Sequence, residues 1–238
     1  SYPRFDEDEI RAMVKSARVA EEGVRRLRAA LAPGKTENDL WAILNHVNTA
    51  SGGEYLDTRL LSSGLRTNPW YQESGERVVQ AGDMVALDTD MIGPYGYDAD
   101  ILRSFVCAPE RATNRQKDIY KIAHEHVQHN VAILRPGLTF RELSEAGFDV
   151  PAAYREQSIP MNWHGVSLYG GGPNIPGNGW FDEHTEDGLI EPGMTLCVES
   201  YIGERSGPDG VKLEQQVLVT EDGHRLLSVL PFEQDLLV

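Results

Sequence analysis

Residues Met84 to Phe105 read MVALDTDMIGPYGYDADILRSF. An apolar run ending in Asp88 and Asp90 is followed, after Gly93, Pro94 and Gly96, by a second extended run carrying Asp98 and Asp100. This is the pattern of a β-hairpin with acids on both arms. Residues two apart in a strand share a face, so Asp88 pairs in direction with Asp90, and Asp98 with Asp100. Four carboxylates crowded on adjoining strands repel one another unless a cation lies between them, and a metal ion is the natural candidate.

The other acids in extended apolar sequence extend this pattern. Glu199 lies in MTLCVESYIGE and Glu214 in VKLEQQVLVT, with Gly207-Pro208-Asp209-Gly210 between them reading as a hairpin turn. His164 precedes the Gly- and Pro-rich run GGGPNIPGNG, which fits either a surface loop or the border of a substrate pocket. A lone strand acid usually faces solvent. Asp88, Asp90, Asp100, Glu199 and Glu214 with one imidazole form instead a hard, oxygen-rich set. It suits Mn²⁺, Fe²⁺, Co²⁺ or Zn²⁺ and is large enough to bridge two ions ~3.5 to 4 Å apart.

Helical stripes separate the strands. Ile10, Met13, Val14, Ala17, Ala20, Val24, Leu27 and Leu31 predict an amphipathic helix over 8–31, and Leu40, Trp41, Ile43, Leu44 and Val47 a second, begun by a capping box from Thr36 to Asp39. Ile119, Ile122, Ala123, Val127, Val131 and Leu134 predict a third. The segments APGKTENDL (32–40) and RPGLTFREL (135–143) share Pro, Gly, Thr and the final Leu, which predicts two half-domains of similar plan, about 8–110 and 111–238. Helices, strands, helices, strands in that order, with hairpins, mean an α+β domain.

A formal charge of −15, from 22 basic and 37 acidic residues, argues against nucleic acid or an anionic membrane as partner. No stretch approaches the ~20 apolar residues of a membrane helix and no signal-peptide core is present, so a cytoplasmic protein is expected. Cys107 and Cys197 sit in apolar strand-like sequence and are expected reduced, buried and packed. His124-Glu125-His126-Val127-Gln128 is not HExxH, so His124, His126 and His129 are expected to be solvated or lightly packed. Gly165 to Tyr169 lacks the closing Gly of a nucleophile elbow, and no P-loop or dinucleotide fingerprint occurs.

Taken together, the helix ending in P-G-x-T, the hairpin D-x-D-M-I-G-x-Y-G-Y-x-A-D-I-x-R-S-F, His164-Gly165, V-E-S around Glu199 and L-E-x-x-V-L-V-T around Glu214 resemble the pita-bread metalloenzymes. That family includes methionine aminopeptidase, aminopeptidase P, prolidase and the metal-free creatinase. The resemblance implies two pseudo-symmetric αβ halves around a curved antiparallel sheet. It also implies two divalent metal ions on an Asp from each arm, His164, Glu199 and Glu214, with Asp100 as the second Asp. In the peptidases the first Asp would fall on Thr89; here Asp88 and Asp90 flank that position. This departure, with RTNPWYQE, the run from Val198 to Glu204 and the ending PFEQDLL, is most similar to the dimethylsulfoniopropionate lyase branch. There both acids belong to the metal site, with Asp90 bridging and Asp88 additional.

The partner groups of either relative are missing. The two peptidase histidines would fall near Trp70 and Tyr71 and at Gly171, and the lyase base at Gly170. The leading expectation is a dinuclear hydrolase of the Xaa-Pro peptidase or prolidase type, in which an activated water attacks an amide or related carbonyl. Glu199 or Glu214 would relay the proton, and Trp70, Tyr71, Tyr169 and Gly170 would shape the pocket. Its substrate would be a short peptide or small molecule, and the resemblance adds a homodimer. A metal-dependent C–S lyase, with Asp182 or Glu183 as base, and a non-enzymatic binding module are the alternatives. The chain begins at its first helix, so it is read as a single catalytic domain, 1–238, or a fragment, without the N-terminal domain of larger relatives.

Overall fold

The helices begin where the sequence supplies a cap. In the computed structural model, which describes residues 2–169 and 171–238, α1 (Glu7–Ala30) starts at Asp6. The Asp6 carboxylate accepts from the Asp8 and Glu9 amides, and Glu9 accepts in return from the Asp6 amide. α2 (Glu37–Ala50) opens with the predicted reciprocal pair of Thr36 and Asp39. Each box satisfies amides that a helix start otherwise leaves unpaired. The stripes face inward: Val24 and Leu27 of α1 pack with Leu40, Trp41, Leu44 and Val47 of α2 in one core.

After α2 come β1 (Tyr55–Leu56), β2 (Leu61–Ser63), β3 (Met84–Leu87), β4 (Met91–Ile92), β5 (Asp98–Ala99) and β6 (Arg103–Val106). The second half repeats the order with α3 (Asn114–Ala132), α4 (Phe140–Ala146), α5 (Ala152–Arg155), β7 (Met161–Gly165), β8 (Asn174–Pro176), β9 (Thr195–Gly203), β10 (Gly210–Val219) and β11 (His224–Leu226). Among the described residues the strands pair antiparallel in three sheets, ordered β1-β4-β5, β2-β3-β6 and β11-β10-β9-β7-β8.

The two P-G-x-T passages are built alike. Gly34 and Gly137 take φ of +93° and +88°, where a side chain would be strained, and their amides donate to the carbonyls of Val79 and Ile190. Thr36 bridges to Val78 and Thr139 to Leu189, and each threonine caps the helix that follows.

The acid hairpin is one ladder interrupted at its acids. Leu87 faces Arg103 and Met91 faces Ala99, so one register runs through both parts. Across the gap, the buried Thr89 hydroxyl accepts from the Ile101 amide at 2.9 Å and donates to the Ala99 carbonyl at 2.8 Å. Thr89 thus replaces ladder bonds while Asp88 and Asp90 turn the other way. β10 then seals the hairpin to the second half. The Glu214 amide donates to the Leu102 carbonyl, Ser104 exchanges bonds with the Lys212 backbone, and the buried Arg103 guanidinium donates to carbonyls of Leu102, Glu214, Leu230 and Pro231.

Two expectations are corrected. The GGGPNIPGNG run is only partly loop: Asn174–Pro176 pairs with β7, because Ile175 is buried in the core under α3. His126 is neither solvated nor lightly packed. It is 1% exposed, stacked on Phe148, with Nδ1 2.8 Å from the Ser200 hydroxyl and Nε2 3.0 Å from Asn162 Oδ1, and burial lowers its pKa to about 4. Among the described residues no helix is long and apolar enough to cross a membrane.

Candidate metal centre

The registers of the second sheet determine which side chains meet. Glu199 faces Glu214 across β9 and β10, His164 faces Cys197 across β7 and β9, and Cys197 and Glu199 are two apart on one strand. All four side chains therefore share a face. The hairpin brings Asp88, Asp90 and Asp100 to the same place. His164 Nε2 lies 3.2 Å from Glu214 Oε1, 3.7 Å from Asp100 Oδ2 and 4.0 Å from Glu199 Oε1. Among the described residues, two groups have ligand atoms within 4.8 Å of one another: Asp88, Asp90 and Asp100, and Asp100, His164, Cys197 and Glu214. Asp100 is common to both, where the resemblance gives the bridging place to Asp90. Asp90 also accepts from the Thr58 hydroxyl, at 2.5 Å.

This cluster is out of water. Asp88, Asp100, Glu199 and Glu214 are 7%, 3%, 5% and 0% exposed. Burial, then the charge of Asp100, pushes the carboxyls of Asp88 and Glu214 well above the usual range, and raises Asp90 to about 7. Asp98 is half-buried with Oδ1 enclosed, and burial and Asp100 raise its carboxyl pKa as well. Among the described residues, Asp88 Oδ1 and Glu214 Oε2 are buried without a hydrogen-bond partner. Each such atom costs about 1–3 kcal/mol. Orphaned oxygens from an acid set with one imidazole fit a divalent cation.

Lys212 is the residue that sequence reasoning missed. It is 1% exposed, its ammonium pairs with Glu199 Oε2, and it sits 5.7 Å from the centre of the Trp70 ring. Burial lowers its pKa, while Asp88, Glu214, Asp100 and Asp90 favour its charge. The signal was its spacing: Lys212 is two residues from Glu214 and so shares its face.

Among the expected pocket residues, Trp70 is 5% exposed and packs on Tyr201 at 5.8 Å, forming a wall behind Lys212. Tyr71 is 64% exposed with its ring centre 6.2 Å from that of Trp70, and its phenol pKa is raised by partial burial and then by the charges of Asp88 and Asp90. Tyr169 stands aside, its hydroxyl donating to Glu54. Gly170 lies outside the described residues. Asp182 spends its carboxylate on a surface turn, accepting from the His184 amide and Thr185 hydroxyl, and Glu183 is exposed. Both cysteines are free and buried, as expected, but Cys197 lies among the acids rather than in apolar packing.

The pH dependence of the metal-free protein follows. A carboxyl whose folded pKa exceeds its unfolded value near 3.8 holds its proton more tightly when folded. Its contribution to stability is complete below that unfolded value and is lost as pH rises through about 7 for Asp90. In the presence of chelator, Asp90→Asn should therefore gain stability over wild type progressively between these pH values, as read by thermal melts. A constant difference across the window would contradict the assignment.

Residues 11–221 match the model of metallopeptidase family M24. A dimethylsulfoniopropionate lyase, DddP, of Roseobacter denitrificans is 40% identical, over 97% of this chain and 53% of its own length. An Xaa-Pro dipeptidase of Pyrococcus horikoshii is 26% identical over 93% of this chain and 61% of its own. The chain thus spans about half the length of the lyases it matches. Among solved structures, an Xaa-Pro dipeptidase from Bacillus anthracis superposes with a TM-score of 0.85 at 26% identity, covering 97% of this chain and 63% of that one. The α+β architecture is the pita-bread fold of these prolidases. With a family match running from α1 to the end of β10, the chain belongs to metallopeptidase family M24.

Proposed function

We propose that residues 1–238 form a catalytic unit that uses two divalent metal ions to hydrolyse an amide or related carbonyl bond in a short peptide or small molecule. The observation that carries this reading is the pair of overlapping ligand groups sharing Asp100, with buried oxygens of Asp88 and Glu214 lacking partners. Five carboxylates and the Lys212 ammonium leave four negative charges, which two divalent ions offset. Asp88, Asp90 and Asp100 would hold one ion; Asp100, His164 and Glu214 the other, with Glu199 beside them. When bound, Mn²⁺, Fe²⁺, Co²⁺ or Zn²⁺ supplies Lewis acidity and brings water toward ionisation at neutral pH.

The chain's own residues supply the rest. Glu199 presents Oε1 toward His164 and has Oε2 fixed by Lys212, so Oε1 is the atom placed to take a proton from water and return it to the leaving group. His164 Nε2 and Glu214 Oε1, 3.2 Å apart, are the two atoms that would turn to the ion together. Tyr71, exposed beside Trp70, would offer its hydroxyl to a substrate oxygen, and Trp70 walls the site behind Lys212.

A second reading, C–S lyase chemistry on a small carboxylate, is favoured by the 40% identity to the lyase and by the two acids flanking Thr89. The test is a panel of Xaa-Pro and other dipeptides together with dimethylsulfoniopropionate, assayed on protein reconstituted with each metal. Dipeptide cleavage that chelator abolishes supports hydrolysis. Dimethyl sulfide release supports the second reading, and a metal-loaded protein without either activity overturns both.

A further inference from the structure

We propose that Cys197 is itself a metal ligand, so that the two metal positions differ in kind. The inference rests on the metal centre proposed above. Cys197 is the third residue of β9, opposite His164 on one side and Gln216 on the other, and two residues from Glu199 on the same face. Its Sγ is one of the four ligand atoms, with those of Asp100, His164 and Glu214, that lie within 4.8 Å of one another. A free buried cysteine ordinarily packs as a small hydrophobe. This one has a histidine and two acids around its sulfur, and its hydrogen bond to the Asp100 carbonyl is long, at 3.8 Å. Glu214 gives a second, independent indication: it is 0% exposed, and its Oε2 has no partner among the described residues. Sulfur, imidazole and two carboxylates thus converge on one point.

The two groups then have different appetites. Asp88, Asp90 and Asp100 offer only oxygen and suit a hard ion such as Mn²⁺. The Cys197 group offers sulfur, nitrogen and oxygen and suits Zn²⁺, Fe²⁺ or Co²⁺. Binding there forms a metal–sulfur bond and releases the thiol proton to solvent, one proton for each ion bound at this position.

The test reads coordination rather than turnover. X-ray absorption of the protein loaded with one equivalent of Zn²⁺ should show a sulfur neighbour at about 2.3 Å. The Co²⁺ form should show a thiolate charge-transfer band in the near ultraviolet. Both should persist in Cys107→Ala, which removes the other cysteine, and vanish in Cys197→Ser. Zn²⁺ affinity should fall about tenfold or more in Cys197→Ser, with Mn²⁺ affinity little changed. Bound zinc with only oxygen and nitrogen neighbours in the wild type would overturn the proposal and leave the metal centre standing. A wild type that binds no divalent metal would overturn both. Should Cys197→Ser fail to fold, the wild-type and Cys107→Ala spectra still decide the matter.

Discussion

Glu214→Gln should melt at a higher temperature than wild type in chelator and at a lower one in saturating metal. Without metal, a fully buried carboxylate crowded by Asp100 and Asp90 opposes folding, and an amide of equal size removes the repulsion while donating to neighbouring acids. A gain of about 1–2 kcal/mol corresponds to roughly 2–8 °C for a domain of this size. With metal the sign reverses, because every tenfold loss of affinity takes away about 1.4 kcal/mol of ligand-linked stability. Turnover should fall by about three orders of magnitude, roughly 4 kcal/mol. Paired melts with and without chelator check this, and a shift of the same sign in both media would refute a metal role for Glu214.

Gly165→Ala should cost roughly 2–4 kcal/mol and loosen the metal site at the same time. A Cβ on Gly165 would lie 2.1 Å from the Gly172 carbonyl oxygen and 2.4 Å from its carbon, and backbone cannot swing aside as a side chain can. The contact arises because the Gly165 amide donates to the Pro173 carbonyl at 2.7 Å, drawing the chain before β8 tight against β7. Relief requires β7 to shift next to His164, so metal affinity should drop along with stability. Urea denaturation and metal titration measure the two effects, and an alanine variant as stable as wild type would show that this close approach is not needed.

Much of the site could be read without coordinates because its parts obey short-range rules. Strand alternation places Asp88 with Asp90, the P-G-x-T turns announce themselves through Gly34 and Gly137, and an acid in an apolar run marks Glu199 and Glu214. What escaped depends on pairing between distant segments. β10 is buried along its whole length, so Lys212, which alternation alone would allow to reach water, is enclosed. Cys197 looks like ordinary core until the β7–β9 register puts His164 opposite it. His126 is fixed by Ser200 and Asn162, partners tens of residues away that no helical stripe reveals. β8 was hidden because glycine and proline flank the single buried Ile175.

The Thr89 splice makes the acid hairpin sensitive to parity. Its one register runs unbroken from Met84 opposite Val106 to Ile92 opposite Asp98, so the tip from Gly93 to Tyr97 sets the phase of the returning arm. Lengthening that tip by one residue would slide Asp100 onto the opposite face and put Ile101 or Ala99 against the metals, whereas adding two restores the facing at the cost of a longer loop. In this chain the distance in sequence between Asp90 and Asp100 thereby acts as a mechanical gauge for the whole centre.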